Sequence, residues 1–447
     1  MMDPRSDATA PVETRMVIRG RTAEEIADSI KSAVAEGGLA AGDPLPTIRA
    51  LAGDLGVNRN TVASAYRQLS DAGVTEGRGR QGSRIALHPG AGASAAASVH
   101  NLSAGNPDAD LLPPLQVQPL GPEWPHRGYE DAPADPQLAD LARARFRKDG
   151  VPVGHVWVAN GTFDAISMIL RSVFGGPVKV GVEDPCFMTT LGLLHSLGHR
   201  AVPMAVDDNG VTPDGLARAL DDGIEAVILT PRAHNPFGGS WSDTRRADLA
   251  DILSRYPDVL LIEDDHFSEL SLFAAQTLAD EGRENWAVIR SVSKYLGPDA
   301  RLAFVDCSPA LGRKVDVLGA CTYRWVSGLL QRVVLQTLTS PDYDASVKRV
   351  ARLYKERREG FLAALKDRGI SGHGADGFNV WVPVADEQKS TRHLMEAGWI
   401  VNPGATFRLT SPPAIRVTTS ALRRDQAREL ADLIDEIEHA APVRRGA

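Results

Sequence analysis

Apolar residues in the first ninety positions recur at intervals of three and four, which predicts three short helices. Thr22 and Glu25 form a capping box at the start of the first helix, Gly56 breaks the second, and Asn58 can cap the third. The stretch that follows, 76–87, is rich in glycine and arginine and predicts a hairpin between two short strands. The apolar positions of the three helices are Ile26, Ile30, Ala33 and Val34, then Ile48, Leu51, Ala52 and Leu55, then Val62, Tyr66 and Leu69.

The remainder of the chain alternates strand-like and helix-like stretches. Helical periodicity, for example at 212–222 and 243–255, separates most of the apolar runs. This alternation is typical of a mainly parallel sheet that is covered by helices on both faces. A later segment, 345–440, combines helices with two further strands and predicts a smaller α/β subdomain. The apolar runs that favour strands of the main sheet are 177–183, 225–230, 258–263, 286–291 and 302–306.

Length and composition favour a globular protein of two or three domains, since 43% of the 447 residues are hydrophobic and 24% are charged. The small residues of PGAGASAAASVH are typical of a flexible linker. We therefore place a head domain at 15–88, a linker at 89–100 and a larger body at 101–440. The net charge of −8 excludes a uniformly basic nucleic-acid coat, although the head, with ten basic and eight acidic residues, is slightly basic.

The sequence shows no motif for metal binding, secretion or membrane insertion. The three cysteines, Cys186, Cys307 and Cys321, fit neither a disulfide framework nor a zinc motif, so we expect a reducing compartment and no metal. No apolar run approaches the ~18 residues of a membrane span, and the polar N-terminus shows no signal peptide. These features predict a soluble cytoplasmic protein that does not engage a membrane.

The second and third predicted helices have the spacing of a helix-turn-helix, in which the later helix enters the major groove of DNA. Residues 59–84 hold five arginines and two acidic residues, and a glycine-rich hairpin tip can approach a DNA backbone or minor groove closely. Periodicity alone equally allows a helical bundle with solvated arginines. The candidate DNA contacts are Arg49, Asn58, Arg59, Asn60, Thr61, Arg78, Gly79 and Arg80.

The string LPTIRALAGDLGVNRNTVASAYRQLSDAGVTEGRGRQGSRI resembles the winged helix-turn-helix of the GntR family of bacterial transcription regulators. The resemblance covers about residues 15–87 and implies that Arg49, Arg59, Thr61 and the wing residue Gly79 face DNA. Asn58 stands where serine is more usual in the family, and both residues can cap a helix.

In the body, polar residues follow several of the predicted strands. Lys294 comes just after one strand and can form a Schiff base with an aldehyde cofactor, while Ser291, Ser293 and Arg301 can bind the phosphate of that cofactor. The alternative is a surface lysine in a polar loop.

Two further strands end in residues suited to a pyridine ring. Asp264 can keep such a ring protonated, and His266 would project to the same side of an extended chain. Asn235 could donate to a phenolic oxygen of the ring. The alternatives are a helix cap or solvated turn for the acidic pair, and a plain Asn-Pro turn.

The helix that starts in ANGTFDAISMIL offers the free amides of Gly161, Thr162 and Phe163 to a phosphate, with a favourable helix dipole. Phe187 can stack on a flat ring. Taken singly, an ordinary glycine-started helix and a core phenylalanine explain these residues without a ligand.

Together these strings resemble fold-type I aminotransferases, which use pyridoxal 5′-phosphate, over most of the body. The resemblance implies that Lys294 is the catalytic lysine bonded to the cofactor and that Asp264 is the partner of the pyridine nitrogen. It also assigns Arg416 to a substrate or effector carboxylate, and it makes Tyr129 a candidate for reaching the phosphate across a dimer interface. The other implied cofactor contacts are Asn235, His266, Ser291, Ser293 and Arg301.

Two departures from the aminotransferase pattern bear on activity. Phe237 replaces a threonine of the family's Asn-Pro-Thr-Gly motif, and His266 replaces a tyrosine, so cofactor binding is better supported than transamination. A GntR-type head fused to an aminotransferase-like body is the arrangement of the MocR subfamily. The body is most similar to members tied to vitamin B6 salvage.

The resemblance implies a homodimer that binds promoter DNA and that senses pyridoxal phosphate or an amino compound on Lys294. One alternative is an aminotransferase with a vestigial head, since Lys294, Asp264 and Arg416 are all retained. A second alternative is an interaction protein whose pocket no longer binds cofactor. The arginine-rich recognition helix and wing favour the regulator, because an enzyme alone would not need them.

Overall fold

The computed structural model describes residues 18–35, 39, 43–71, 74–77, 83–85, 99–117 and 128–439. The chain forms two compact units, Met1–Val99 and His100–Ala447, which correspond to the head and the body. The linker predicted at 89–100 lies outside the described residues except for its last two, so the domain boundaries stay predictions. Across the described part of the chain, no helix combines the length and the apolar character that a membrane span requires.

The head has the three helices and the hairpin that its pattern predicts. Glu25 N donates to Thr22 Oγ1 at 3.2 Å and Thr22 N donates to Glu25 Oε2 at 3.3 Å, which is the expected capping box. Gly56 ends the second helix with a φ of 66°, and Asn58 Oδ1 accepts from Asn60 N at 2.9 Å. The elements are α1 (Ala23–Ala35), α2 (Ile48–Leu55), α3 (Arg59–Asp71), β1 (Thr75–Gly77) and β2 (Ser83–Ile85).

The body contains the remaining elements. Its strands are β3 (His100–Asn101), β4 (His155–Ala159), β5 (Lys179–Asp184), β6 (Arg200–Asp207), β7 (Gly210–Val211), β8 (Ala226–Leu229), β9 (Leu260–Asp264), β10 (Trp286–Ser291), β11 (Ala303–Cys307), β12 (Asn379–Pro383), β13 (Trp399–Ile400), β14 (Asn402–Pro403) and β15 (Ala414–Thr418). Its helices are α4 (Pro136–Lys148), α5 (Thr162–Val173), α6 (Met188–Ser196), α7 (Pro213–Asp221), α8 (Asp243–Ser254), α9 (Pro309–Ala320), α10 (Gly328–Leu338), α11 (Tyr343–Lys366), α12 (Glu387–Glu396) and α13 (Arg424–His439).

The main sheet has the order β4-β11-β10-β9-β8-β5-β6-β7. Strands β10, β9, β8, β5 and β6 pair in parallel, which confirms the mainly parallel sheet predicted from the strand–helix alternation. The run predicted at 302–306 forms β11, which pairs antiparallel with both β10 and β4. The segment 292–302 therefore connects the two strands of a β-hairpin. The apolar run predicted that 302–306 forms a strand, but the pattern of apolar residues does not indicate whether a strand runs parallel or antiparallel to its neighbour.

Continuous apolar runs form the inner strands because both faces of the sheet are covered. In β8, Ala226 and Ile228 pack into one core cluster, whereas Val227 and Leu229 pack into the cluster on the opposite face. Successive side chains of a strand point to opposite faces, so a strand that is covered on both sides needs an apolar residue at every position.

The smaller subdomain, predicted at 345–440, contains a three-stranded sheet with the order β12-β15-β14. Helices α11, α12 and α13 pack around it and share a core with Val380, Ile415 and Leu430. Strand β3, at the start of the body, pairs in parallel with β13 and so joins this subdomain.

The carboxylate of Asp184, at the end of β5, binds the smaller subdomain to the main sheet. It accepts backbone hydrogen bonds from Leu409 N at 2.8 Å, Thr410 N at 2.7 Å and Ser411 N at 2.9 Å. The hydroxyls of Thr410 and Ser411 also donate to it, at 2.6 and 3.0 Å. Burial alone would raise the pKa of Asp184, but these donors outweigh it and hold the pKa below its usual range.

Replacing Asp184 with asparagine should destabilise the body by about 1–3 kcal/mol, because the amide group cannot accept from all of these donors. Since the pKa of Asp184 is depressed, its contribution is present above the unfolded-state pKa of about 3.9 and is lost as the pH falls through the folded-state value. Denaturant unfolding of D184N and of a control at the exposed Asp248, D248N, measures the difference. Equal free energies of unfolding for the two variants would contradict this role.

Candidate functional site

A cavity of about 330 Å³ lies where several strands of the main sheet end. Neighbouring parallel strands place their carboxyl ends at one edge of a sheet, and ligands of open α/β sheets bind there. Strands β5, β8, β9 and β10 all contribute lining residues at or just beyond their last positions. The predicted residues that line the cavity are Thr162, Phe163, Phe187, Asn235, Asp264, His266, Ser291, Ser293, Lys294 and Arg301.

The Lys294 amine lies inside this cavity, just beyond β10. Its Nζ donates to the carbonyl oxygen of Gly105 at 2.7 Å and lies 5.5 Å from the centre of the Phe378 ring. Burial and the nearby Arg416 guanidinium lower the pKa of Lys294 to about 8, with Asp264 acting in the opposite direction. A larger fraction of this amine is therefore deprotonated and nucleophilic at neutral pH than of an exposed lysine.

Asp264 ends β9 and faces the same cavity. Burial raises its pKa to about 7, with a further contribution from the neighbouring Asp265. Its Oδ1 atom is buried and has no hydrogen-bond partner among the described residues. His266 Nδ1 lies 4.0 Å from Asp264 Oδ2, and burial lowers the pKa of His266 to about 4, so this imidazole is neutral at neutral pH.

Hydroxyl groups and a helix N-terminus form one end of the cavity. The hydroxyls of Ser291 and Ser293 lie 2.8 Å apart, and Arg301 lies near the start of α5. Gly161 precedes that helix with a φ of 91°, which favours glycine, but it does not itself line the cavity. This arrangement of donors suits an anionic group such as a phosphate.

Two aromatic rings lie at the wall of the cavity. Phe163 and Phe187 stack with their centroids 5.9 Å apart and an interplanar angle of 27°. Phe187 therefore has a partner within the protein and still presents part of its ring to the cavity.

Arg416, predicted to grip a carboxylate, does not line the cavity. It is buried, Nη1 donates to Asn235 Oδ1 at 3.1 Å, and Nη2 donates to the carbonyl oxygen of Ser103. Its Nε has no partner in the described part of the chain, and its guanidinium lies 4.7 Å from the centre of the Phe407 ring. Burial lowers the pKa of Arg416 to about 10, so it stays charged.

Tyr129 lies outside the cavity of its own chain. It is exposed, and its ring lies beside Trp325 and 5.4 Å from the guanidinium carbon of Arg324. Its role across a dimer interface stays a prediction.

Several cavity residues have no role in the sequence analysis. His234 Nε2 lies 3.4 Å from Glu183 Oε2, and the backbone N–H of Thr230 donates to that same oxygen at 3.0 Å. Burial raises the pKa of Glu183 to about 8 and lowers that of His234 to about 3. Glu183 could have been found from its place at a strand end, the signal that identifies Asp264. The lining residues Asn106 and Pro107, far away in the chain, have no such local signal.

In the head, four candidate DNA contacts lie at the start of α3, whereas Arg49 is the second residue of α2. Arg49, Asn58, Arg59 and Asn60 are exposed, and Thr61 is half-buried. The three wing residues, Arg78, Gly79 and Arg80, lie outside the described residues.

The chemistry of the cavity fits a phosphorylated pyridine aldehyde. The unpartnered Asp264 Oδ1 can accept from a ring N–H, and the weakly basic Lys294 amine can attack an aldehyde. The Ser291 and Ser293 hydroxyls and the N-terminus of α5 can receive a phosphate.

The Lys294 amine should condense with an aldehyde at lower pH than a free lysine does, because its pKa is about 8 and the free side chain has a pKa of about 10.4. Protein and N-acetyl-lysine are mixed with pyridoxal phosphate over a pH series and reduced with borohydride, and the products are mapped by mass spectrometry. Labelling of Lys294 should reach half its maximum near pH 8. A profile that coincides with that of N-acetyl-lysine would rule out the depressed pKa.

Known proteins resemble the head alone and nearly the full length of the chain. Residues 22–85 match the model of the gntR family of bacterial regulatory proteins. The chain is 41% identical over 423 residues to the vitamin B6 salvage pathway transcriptional repressor PtsJ of Salmonella typhimurium, covering 93% of this chain and 98% of that protein. It is 26% identical over 363 residues to the pyridoxine biosynthesis transcriptional regulator PdxR of Corynebacterium glutamicum, covering 75% of this chain and 76% of that one.

The body also matches solved structures. A kynurenine aminotransferase from Pyrococcus horikoshii superposes with a TM-score of 0.67 at 20% identity, over 76% of this chain and 91% of the enzyme. This likeness establishes the fold-type I aminotransferase fold of the body. With a GntR-type DNA-binding head and a relative of 41% identity that spans nearly its whole length, the chain belongs to the MocR subfamily of GntR-type transcription regulators.

Proposed function

We propose that the protein regulates transcription of vitamin B6 genes by binding pyridoxal phosphate on Lys294 and promoter DNA with its head. The observation that carries the proposal is the convergence, in one cavity, of a lysine amine of lowered pKa and a buried carboxylate oxygen of Asp264 that has no hydrogen-bond partner among the described residues. The names of the two curated relatives, one in B6 salvage and one in pyridoxine biosynthesis, support the choice of vitamer.

Each end of the cavity would hold a different part of the cofactor. Asp264 Oδ1 would accept a hydrogen bond from the ring nitrogen, with the neutral His266 beside it. Ser291, Ser293 and the amides at the start of α5 would bind the phosphate, assisted by Arg301. When bound, pyridoxal phosphate supplies an electrophilic aldehyde and an electron-withdrawing ring. At neutral pH a larger fraction of the Lys294 amine is deprotonated than of an exposed lysine, and the flanking Phe163 and Phe187 would exclude water from the ring.

The head would bind DNA through the start of α3. Arg59, Asn60 and Thr61 follow the Asn58 cap and would meet base edges, while Arg49 would meet a phosphate. Arg78 and Arg80 of the wing would add contacts to the backbone or minor groove. A homodimer would present two such heads to two half-sites.

A ligand alters DNA affinity only when it binds two arrangements of the protein unequally. A coupling free energy of about 1–3 kcal/mol would change operator affinity roughly 5–150-fold. The proposal requires a coupling of this size between Lys294 and the head.

Turnover as an aminotransferase has weaker support than regulation. Lys294 and Asp264 are retained, but Arg416 binds Asn235 and Ser103 and lies outside the cavity. The carboxylate of an amino-acid substrate would have to reach beyond the cavity lining and use the N–H donors of Arg416 that Asn235 and Ser103 leave free.

Replacing Arg59 with alanine should weaken binding to the promoter by about 1–3 kcal/mol, because the lost guanidinium is the strongest candidate for a base contact. The charge-matched control is Arg19→Ala, since Arg19 is exposed in the same domain but lies before α1. Mobility-shift titrations of upstream DNA measure both. Equal losses for the two variants would exclude a specific role for Arg59.

Replacing Lys294 with alanine should abolish both the visible absorbance of the bound cofactor and the effect of pyridoxal phosphate on DNA affinity. Unchanged DNA affinity of the wild-type protein with saturating pyridoxal phosphate would overturn the proposed function, whatever the variant does. Steady transamination without specific DNA binding would instead support the enzyme.

A further inference from the structure

One segment of the body, Leu102–Pro107, passes between Lys294 and Arg416, and we call it the strap. On one side, Lys294 Nζ donates to the carbonyl oxygen of Gly105 at 2.7 Å. On the other side, Arg416 Nη2 donates to the carbonyl oxygen of Ser103. The strap therefore accepts hydrogen bonds from Lys294 and Arg416, two of the three cationic side chains that the aminotransferase resemblance assigns to ligand binding.

The smaller subdomain anchors the strap by five further hydrogen bonds. Leu102 N donates to the carbonyl oxygen of Ile400 at 2.8 Å, and Asn402 Nδ2 donates to the carbonyl oxygen of Ser103 at 2.5 Å. The other three involve Thr418 and Ser420. Gly105 N donates to Thr418 Oγ1 at 3.2 Å, and Thr418 N donates to the carbonyl oxygen of Leu102 at 2.9 Å. Ser420 Oγ donates to the carbonyl oxygen of Asn106 at 2.7 Å. These three anchors lie at or just beyond the end of β15, the strand that carries Arg416.

Gly105 allows the strap to approach Arg416 so closely. Its φ is 63°, and a Cβ at this position would lie 3.1 Å from Arg416 Nη2 and 3.2 Å from Nη1. Any other residue would strain the backbone and push against the guanidinium. The backbone conformation of the strap therefore requires glycine at position 105.

The strap follows directly from the segment that connects the body to the head. His100 and Asn101 form β3, which pairs with Trp399 and Ile400, and the strap begins at the next residue. In the chain, residues 89–99 lead back from this point to the DNA-binding domain. A conformational change of the strap would therefore occur directly beside the segment that connects the body to the head.

We propose that the strap is the element through which ligand occupancy of Lys294 reaches the connection to the head. This inference rests on the proposed function, since it assumes that an aldehyde reacts with Lys294. In the free protein the Lys294 ammonium group holds the Gly105 carbonyl, and Arg416 holds that of Ser103. Reaction at Lys294 removes the first of these contacts, and the strap then keeps its anchors to the smaller subdomain, to which Arg416 belongs.

The stoichiometry of the reaction leaves the Lys294 nitrogen with one hydrogen in place of three. A bond forms between Nζ and the aldehyde carbon, and the carbonyl oxygen leaves as water with two of the three ammonium hydrogens. The nitrogen keeps one hydrogen and the positive charge, and this hydrogen is confined to the plane of the new double bond. Lys294 can then no longer direct a freely rotating donor at the Gly105 oxygen.

Hydrogen–deuterium exchange of the intact protein tests the inference at the strap amides. With pyridoxal phosphate bound, exchange of a peptide covering 100–108 should rise about tenfold, the effect expected for losing one hydrogen bond from a charged donor. In the absence of ligand, Lys294→Met should show the same rise because it lacks the donor. Lys294→Arg keeps a cationic donor but forms no Schiff base, so its strap should exchange slowly and should not respond to pyridoxal phosphate.

A pair of glycine variants tests the strap without altering Lys294. Gly105→Ala should loosen the strap and shift DNA affinity toward the ligand-bound value with no ligand present. The matched control is Gly150→Ala, because Gly150 also has a positive φ, of 78°, but its Cβ would meet no atom of the described residues within 4 Å. Exchange elsewhere in the body reports whether each variant is folded. A loosened strap with DNA affinity unchanged would overturn the inference.

The outcomes separate the inference from the proposed function. If pyridoxal phosphate labels Lys294 and changes DNA affinity while strap exchange is unaltered, the function stands and the role of the strap is wrong. If pyridoxal phosphate neither labels Lys294 nor changes DNA affinity, the proposed function is wrong and the inference falls with it. Equal strap exchange in the Met and Arg variants would likewise refute the strap contact.

Discussion

Parallel strands covered on both faces constrain where this protein can place its chemistry. Every position of such a strand, as in β8 with its four buried apolar residues, is used for packing. Polar side chains must therefore lie where the strands end, and parallel strands end at the same edge of the sheet. Asp264 and Glu183 lie at the ends of β9 and β5, Lys294 follows β10, and the three side chains meet in one cavity for this reason.

Burial determines the charges within the cavity. Its low dielectric disfavours charged forms, which raises the pKa of Asp264 and Glu183 and lowers that of Lys294 and His234. The cavity thus combines a reactive amine with acids that are easily protonated. An anionic ligand would find its compensating donors at the serine hydroxyls and the helix N-terminus rather than in a dense set of cations.

The two units of the chain carry complementary chemistry. The head exposes polar residues at the start of a recognition helix, and the body encloses a small-molecule cavity. The strap lies against Lys294 within the body and continues directly into the connection to the head. Any coupling between ligand and DNA must pass along such a covalent connection or across a contact between domains.

Local pattern determined the elements of this protein and the residues at their ends. The capping of α1 by Thr22, the break at Gly56 and the strand-end position of Asp264 depend on neighbours within a few residues, so the sequence predicts them. Short motifs likewise indicated the family. What only the tertiary structure decided were contacts between residues far apart in the chain.

Three features of the structure depend on such distant contacts. They are the antiparallel pairing of β11, the position of Arg416 outside the cavity lining and the hydrogen bond between Lys294 and Gly105. Lys294 and Gly105 are separated by 189 positions, and no periodicity links them. Their meeting depends on how the sheet, the smaller subdomain and the strap pack together, which is a property of the whole fold and not of any single stretch of sequence.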